Sequence, residues 1–349
     1  MGTVCGVDDD MSTPTAASDG PTVADLGEDA LLAQVFPLLP AGRSTLLGPG
    51  DDAAVLAAPD GRVVVSTDLL VEGRHFRRDW SHGHDVGRRA AAQNLADIAA
   101  MGARPTALVV GLVTPADTPV SWVLDLARGL HDACAADGVG VVGGDLSGGD
   151  GLVVSITVLG DLEGRDPVLR SGARAGDVVA YAGVRGRSAA GLALLSRPGH
   201  HALADGVRAL LVGAYLRPQP PLEAGIRAAE AGAHSMLDVS DGLLRDAGRL
   251  ARASGTVLDL ADPTAVFADD LRVLEPAALL VGADPVEWVL TGGEDHGMLA
   301  TFPPGAVLPE AFRVIGTVRD PDGRWPAGTV LVAGGPPPVT TTGWDHFRR

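Results

Sequence analysis

Three times in this chain a short apolar run closes on small residues and an aspartate: Val63-Val64-Val65-Ser66-Thr67-Asp68, Val139-Gly140-Val141-Val142-Gly143-Gly144-Asp145 and Met236-Leu237-Asp238-Val239-Ser240-Asp241. Runs this short, bounded by turn residues, fit buried strands better than helices. Stretches with helical spacing lie between them, so the chain alternates strands and helices and is expected to fold as α/β. Each unit also delivers a carboxylate just beyond a buried strand, where an ionised group is costly unless it is paired or holds a metal.

The remaining punctuation sets the expected order of elements. Residues 1–24 are polar and acidic with no apolar period and read as a disordered tail, with Met11 an alternative start. A helix over 28–39 stops at Pro40, and strands over 53–57 and 62–66 flank Pro59-Asp60-Gly61 as a hairpin. Asp85 is placed to cap a long helix through Met101, which Gly102 and Pro105 end. A strand over 106–113, a helix over 120–136 and strands over 138–142 and 152–159 complete the first half. Residues 160–176 turn Gly-, Arg- and Asp-rich, which puts a boundary near Arg165 and divides the chain into an N-terminal domain, 25–164, and a C-terminal domain, 165–349. The second half reads as strands over 178–182, 235–237, 256–260 and 297–301 and around Val289, with helices over 188–195, 222–231 and 241–253. The architecture expected is two α/β sandwiches.

Composition removes several function classes. The 349 residues carry 27 basic and 44 acidic side chains, a net charge of −17, and no basic run, which argues against a general nucleic-acid binder. Every basic residue is arginine, so neither a Schiff-base lysine nor a P-loop lysine is available. Cys5 and Cys134 form no CxxC pair, which fits a reducing cytoplasm, and no apolar stretch is long enough to span a membrane.

Gly50-Asp51-Asp52 adds acids before another strand, and Asp97 interrupts the apolar face of the helix around 94–101. One such aspartate is usually a cap or turn former. Five at strand ends point instead to a shared site, where their repulsion would raise their pKa values unless hard cations sit among them. Magnesium suits such a donor set, held by a few carboxylates together with substrate phosphates, as at a site handling a nucleoside triphosphate. Ser66 and Thr67 would add oxygens beside Asp68. The glycine-rich 183–191 reads mainly as a helix entry, His82-Gly83-His84 as a surface loop and Cys134 as a core thiol.

Several motifs in order carry a resemblance: Gly50-Asp51-Asp52-Ala53, Ser66-Thr67-Asp68 with Gly73-Arg74-His75-Phe76, and Asn94-Leu95-Ala96-Asp97. They continue with Gly143-Gly144-Asp145, Arg170-Ser171-Gly172-Ala173, Asp238-Val239-Ser240-Asp241, Gly292-Gly293-Glu294-Asp295 and Trp344-Asp345-His346-Phe347. Together they resemble the thiamine-monophosphate kinase family over nearly the whole chain. The resemblance implies the two-domain fold of aminoimidazole ribonucleotide synthetase, a homodimer paired through the N-terminal domain, and ATP bound through aspartate-held Mg2+ without a P-loop. It also implies Asp52, Ser66, Thr67, Asp68, Asp97, Asp145, Asp238 and Asp241 as magnesium ligands. Gly144, Asp145, Arg170 and Ser240 would contact the nucleotide, and Asp97, Asp238 and Arg170 would carry catalysis. His75, Glu294 and Trp344 would contact thiamine monophosphate.

The sequence departs from the family pattern in three places. His296-Gly297-Met298 stands where Tyr-Glu-Leu is usual, Leu146-Ser147 follows Asp145 in place of a Thr pair, and Trp344 replaces the commoner Tyr. The expected activity is ATP:thiamine-monophosphate phosphotransfer in the cytoplasm. The alternatives are another ATP-dependent synthetase of the superfamily, acting on a purine intermediate or making selenophosphate, and a non-catalytic homologue.

Overall fold

The computed structural model describes residues 20–197 and 203–344. It opens with α1 (Val23–Leu26), α2 (Glu28–Val35) and a small pair of strands, β1 (Thr45–Leu47) and β2 (Val55–Leu56). A four-stranded sheet follows from β3 (Val64–Val71), β4 (Arg104–Thr114), β5 (Gly140–Gly148) and β6 (Val153–Asp161), in the order β3-β6-β4-β5. Only β4 and β5 run parallel. Along β6 buried and half-buried residues alternate, so one face of the sheet lies on a core and the other does not. The covered face packs under α3 (Gly83–Ala100) and α4 (Val120–Cys134), with Leu95, Ile98, Leu108, Val123 and Ile156 among the core residues. The two helices meet backbone to backbone: a Cβ on Gly87 would lie 2.2 Å from the Leu126 carbonyl oxygen.

The second sheet has six strands in the order β12-β9-β11-β7-β10-β8: β7 (Val178–Ala182), β8 (Ser235–Val239), β9 (Val257–Leu260), β10 (Gly297–Phe302), β11 (Phe312–Arg319) and β12 (Val330–Val332). Its helices are α5 (Arg187–Leu195), α6 (Asp205–Leu216), α7 (Leu222–Glu230), α8 (Leu243–Ser254), α9 (Pro263–Val266), α10 (Ala268–Val281) and α11 (Pro285–Thr291). One face of the sheet carries the larger core, under α5, α8, α10 and α11. The other face packs Ala180, Ala182, Met236, Met298 and Ala300 against Ala96, Ala99 and Ala100 of α3. Helix α3 therefore serves two cores, and its alanine-rich side lets α7 approach until a Cβ on Gly225 would lie 2.1 Å from the Ala99 carbonyl oxygen.

Several expectations change. The strands around Pro59-Asp60-Gly61 do not form a hairpin, since β2 pairs with β1 while β3 pairs with β6 in another sheet. Val289 lies in α11 because Asp284 accepts from the Val286 amide as N-cap and Pro285 opens the helix, a start signal that outweighs β-branched propensity. Asp85 sits at the third helical position, where its carboxylate accepts from the His82 amide at 3.0 Å, and His82 is the N-cap. Asp68, Asp145 and Asp238 fall within their strands rather than beyond them. Of the expected tail, residues 1–19 lie outside the described residues, but Thr22 caps α1 and the Pro21 carbonyl accepts from the Val120 amide.

Candidate functional site

Asp97 lies on α3 where the helix passes between the two sheets, and three elements bring acids to it. From β3, the Ser66 hydroxyl donates to Asp97 at 2.7 Å, and the Asp68 amide donates to the Asn94 side-chain oxygen at 3.1 Å. From β8 comes the buried Asp238, whose negative charge acts on both Asp97 and Asp68. From the loop between α11 and β10 come Glu294 and His296. The His296 ring is 3% exposed, with Nδ1 3.2 Å from Asp238 Oδ2 and Nε2 3.7 Å from Glu294 Oε2. Arg89, two turns before Asp97 on α3, closes the chain of charges by pairing with Glu294 at 2.7 Å. Its guanidinium also lies over the Tyr215 ring at 4.4 Å and donates to the Tyr215 carbonyl.

The loop holding Glu294 and His296 is fixed by Asp295 between them. That buried carboxylate accepts from the Gly186 amide at 2.6 Å and the Ser188 amide at 2.8 Å, and lies 3.7 Å from the buried Arg185 guanidinium. The N-terminus of α5 is thus already occupied by a protein anion, so the glycine-rich turn before it serves the fold rather than a phosphate. Glu294 and His296 both have positive φ, at 67° and 51°, a conformation costing about 1–3 kcal/mol per non-glycine residue. The departure at Gly297 has a steric cause: a Cβ there would lie 2.0 Å from the Tyr181 hydroxyl.

The charges explain the titration of the cluster. Burial, then repulsion from Asp238 and Asp68, pushes Asp97 up to about 7 against the opposing Ser66 hydrogen bond. Partial desolvation raises Asp68 in the same way, with Asp238, Glu294 and Asp241 adding to it. His296 goes the other way: burial would lower it, but Asp238 and Glu294 outweigh that and push it up to about 10. For Glu294 burial would raise the pKa, yet Arg89 and His296 hold it well below the usual carboxylate range.

Beside this cluster opens a cleft of about 290 Å³ lined by His75, Arg89, Tyr215, Ser240, Glu294 and Trp344, so the three residues expected to contact thiamine monophosphate line one space. His75 Nδ1 accepts from the Val71 amide at 2.9 Å, and the Tyr215 hydroxyl donates to the His75 carbonyl. Trp344 is 55% exposed and its amide donates to the Asp241 carbonyl; Asp345, His346 and Phe347 lie outside the described residues.

Not every expected residue joins. The register Asp68–Ile156–Val110–Gly144 puts Asp68 on the covered face of the four-stranded sheet, whereas Leu69–Ser155–Gly111–Asp145 puts Asp145 on the open face. Three strand spacings, roughly 14 Å, separate them. Thr67 also faces outward, its hydroxyl donating to the Ile156 carbonyl. Asp52, Gly144 and Asp145 instead rim a second cavity of about 570 Å³, whose apolar walls include Leu31, Val35, Leu112 and Leu126. There the Ser147 hydroxyl donates to Asp145, so the second position after the Gly-Gly-Asp run does supply a hydroxyl. Asp241 is paired with Arg249 at 2.7 Å, and Arg170 is exposed and forms no ion pair among the described residues. Nor, among the described residues, do three His, Cys, Asp or Glu side chains stand close enough to hold a metal ion by themselves. Carboxylates with raised pKa values and a serine hydroxyl nevertheless fit Mg2+, which keeps several waters and takes further oxygens from phosphates.

Arg89, Tyr215, Asp295 and the bridging position of His296 were not foreseen. The signal for Arg89 was present: an arginine beside Ala90-Ala91-Ala92, at i and i+8 with Asp97 on one helix face.

Comparison with known proteins shows the family and the fold. Residues 50–162 match the family model "AIR synthase related protein, N-terminal domain". Thiamine-monophosphate kinase of Mycobacterium tuberculosis (strain CDC 1551 / Oshkosh) is 47% identical over 333 residues, covering 95% of each chain. The structure of AaThiL complexed with AMPPCP and TMP superposes with a TM-score of 0.73 at 29% identity, covering 95% of this chain and 100% of that one. Thiamine-monophosphate kinase from Stenotrophomonas maltophilia K279a gives 0.72 at 29% identity, covering 88% and 95%.

Proposed function

Because the chain belongs to the thiamine-monophosphate kinase family, we propose that it transfers the γ-phosphoryl group of ATP directly and in line to thiamine monophosphate. The products are thiamine diphosphate and ADP. The observation that carries this reading is the approach of β3 to Asp97, with Ser66 bonded to Asp97 and Asp68 bonded to the neighbouring Asn94, beside a cleft that holds His75, Glu294 and Trp344, with the Asp238 charge acting on both aspartates. The AMPPCP and TMP bound in the AaThiL complex are an ATP analogue and the acceptor this chemistry needs.

Ser66, Asp68, Asp97 and Asp238 would hold Mg2+ at the acidic cluster, with Asp241 and the backbone of Thr67 nearby in the chain. Bound there, Mg2+ supplies charge neutralisation on the phosphate oxygens. The residues of the chain do the positioning. By the family resemblance Asp52, Gly144, Asp145, Ser240 and Arg170 would contact the nucleotide. Of these Ser240 lines the cleft beside the acidic cluster, whereas Asp52, Gly144 and Asp145 rim the other cavity, roughly 14 Å away across the sheet within one chain. Trp344 offers an aromatic face to a ring in the cleft, and Glu294 a carboxylate to a cationic or amino-bearing one. An acceptor phosphate is already ionised near neutral pH, so no strong general base is needed, and the buried free thiol of Cys134 fits a cytoplasmic setting. No helix among the described residues is long and apolar enough to cross a membrane.

The test is product analysis. Incubated with ATP, Mg2+ and thiamine monophosphate, the protein should form thiamine diphosphate and ADP in equal amounts without orthophosphate. Orthophosphate released with the product would identify a synthetase, and absence of ADP would overturn thiamine monophosphate as the acceptor.

The acidic cluster adds a pH dependence. With its pKa raised to about 7, Asp97 binds its proton more tightly in the folded than in the unfolded chain. That contribution to stability is complete below about 4 and is lost as the pH climbs through about 7. Saturating Mg2+ competes for the same oxygens, so it should raise Tm by roughly 5–10 °C near pH 8 and far less near pH 5.5. Equal shifts at both pH values would count against cation binding at Asp97.

We also propose a homodimer. Val65, 63% exposed, and Leu69, 52% exposed, lie on the open face of the four-stranded sheet with Val109, an apolar area suited to a second copy. Sedimentation at micromolar concentration should give about twice 35.5 kDa.

A further inference from the structure

His296 stands between the two halves of the site with a ring nitrogen toward each. Nδ1 faces Asp238 Oδ2 at 3.2 Å, and Nε2 faces Glu294 Oε2 at 3.7 Å, too far for a hydrogen bond and with no other partner for that buried atom among the described residues. The ring cannot turn away freely, because its backbone is held at φ 51° by the anchored Asp295 on one side and β10 on the other. We infer that His296 is a two-ended positioning residue: its Nδ1 end sets the Asp238 carboxylate for the cation, and its Nε2 end sets the Glu294 carboxylate for the thiamine moiety. The inference rests on the kinase reading for the identity of both ligands.

The geometry lets the two ends be separated. Asn at this position keeps an amide near the place of Nδ1 and nothing near that of Nε2, and Gln does the reverse. Orienting partners of this kind change ligand affinity by roughly ten- to a hundredfold. Glu294 also pairs with Arg89, so losing the Nε2 end leaves that carboxylate drawn to one side rather than free.

The experiment is calorimetric titration of the full-length protein in the presence of AMPPCP, first with Mg2+ and then with thiamine monophosphate, with Tm recorded for each variant. His296→Asn should leave Mg2+ affinity within about twofold and weaken thiamine monophosphate about tenfold. His296→Gln should weaken Mg2+ about tenfold and change thiamine monophosphate by less than about threefold. His296→Gln reads the Nδ1 end on its own and keeps the inference testable should the asparagine variant fold poorly. Equal losses of both ligands in the two His296 variants, or no loss in either, would overturn the inference, since a merely structural ring would not split the two affinities. If the wild-type protein bound Mg2+ but not thiamine monophosphate, the kinase reading and the Nε2 end would fail, and the Nδ1 end would stand or fall on whether His296→Gln weakens Mg2+ where His296→Asn does not.

Discussion

Asp97→Asn and Asp238→Asn should each reduce turnover by at least about a hundredfold at millimolar Mg2+, because each removes an oxygen charge from the place where the phosphates are to be neutralised. What makes the pair informative is the accompanying stability. Asp97 is held against burial and against two neighbouring carboxylates, so its neutral amide should leave Tm unchanged or higher near pH 8 without Mg2+. Asp238 lies against His296, so its amide removes a favourable partner and should lower Tm. A catalytic loss with no structural loss is the mark of a group retained for chemistry at the expense of folding. Near-normal turnover in both variants would rule out the acidic cluster as the site of transfer.

The second large effect is on stability. Asp295→Ala should lower folding stability by about 3–5 kcal/mol, the cost of leaving a buried partner uncompensated, and Tm by roughly 10 °C. The Arg185 guanidinium is wholly buried, and its Nη1 already lacks a hydrogen bond. Without Asp295 the amides of Gly186 and Ser188 lose their acceptor as well. Activity should fall with stability, because the backbone turn that presents Glu294 and His296 would relax out of its positive φ. Asp295→Asn keeps one acceptor oxygen and should cost less. A Tm within about 2 °C of wild type for the alanine variant would refute this account of the loop.

These three residues also show how much of the molecule the sequence discloses. Asp97 and Asp238 are legible, since a charge on an apolar helix face or inside an apolar run contradicts its surroundings wherever it occurs. Asp295 is not, because its partners Gly186 and Ser188 are more than a hundred residues away and no periodicity records so distant a contact. The same limit separates the elements. The strands 178–182 and 297–301 and the helices 120–136 and 222–231 follow from local pattern, and the structure has the first with the same bounds and the others with one end shifted by one or two residues. The pairing of β3 with β6 rather than β2 depends on which edges meet, and a turn signal such as Pro59-Asp60-Gly61 is silent on that. For the site, family motifs bring His75, Glu294 and Trp344 to one cleft but do not foretell that Asp145 faces away from Asp68, since strand order and register decide the face.

The helix shared by both cores has one more consequence. With Gly225 seated on the Ala99 carbonyl and the alanines of α3 packed into the second sheet, the two halves of the chain have no lubricated joint between them. A hinge opening would tear a close-packed seam in which the alanines of α3 are seated among residues of the second sheet and α7. The molecule should therefore melt in a single cooperative transition rather than half by half, and the cleft beside Asp97 is a slot of fixed width. Water is then to be kept from the transferring phosphoryl group by the residues already lining that slot, Tyr215 and Trp344 among them, rather than by domain closure.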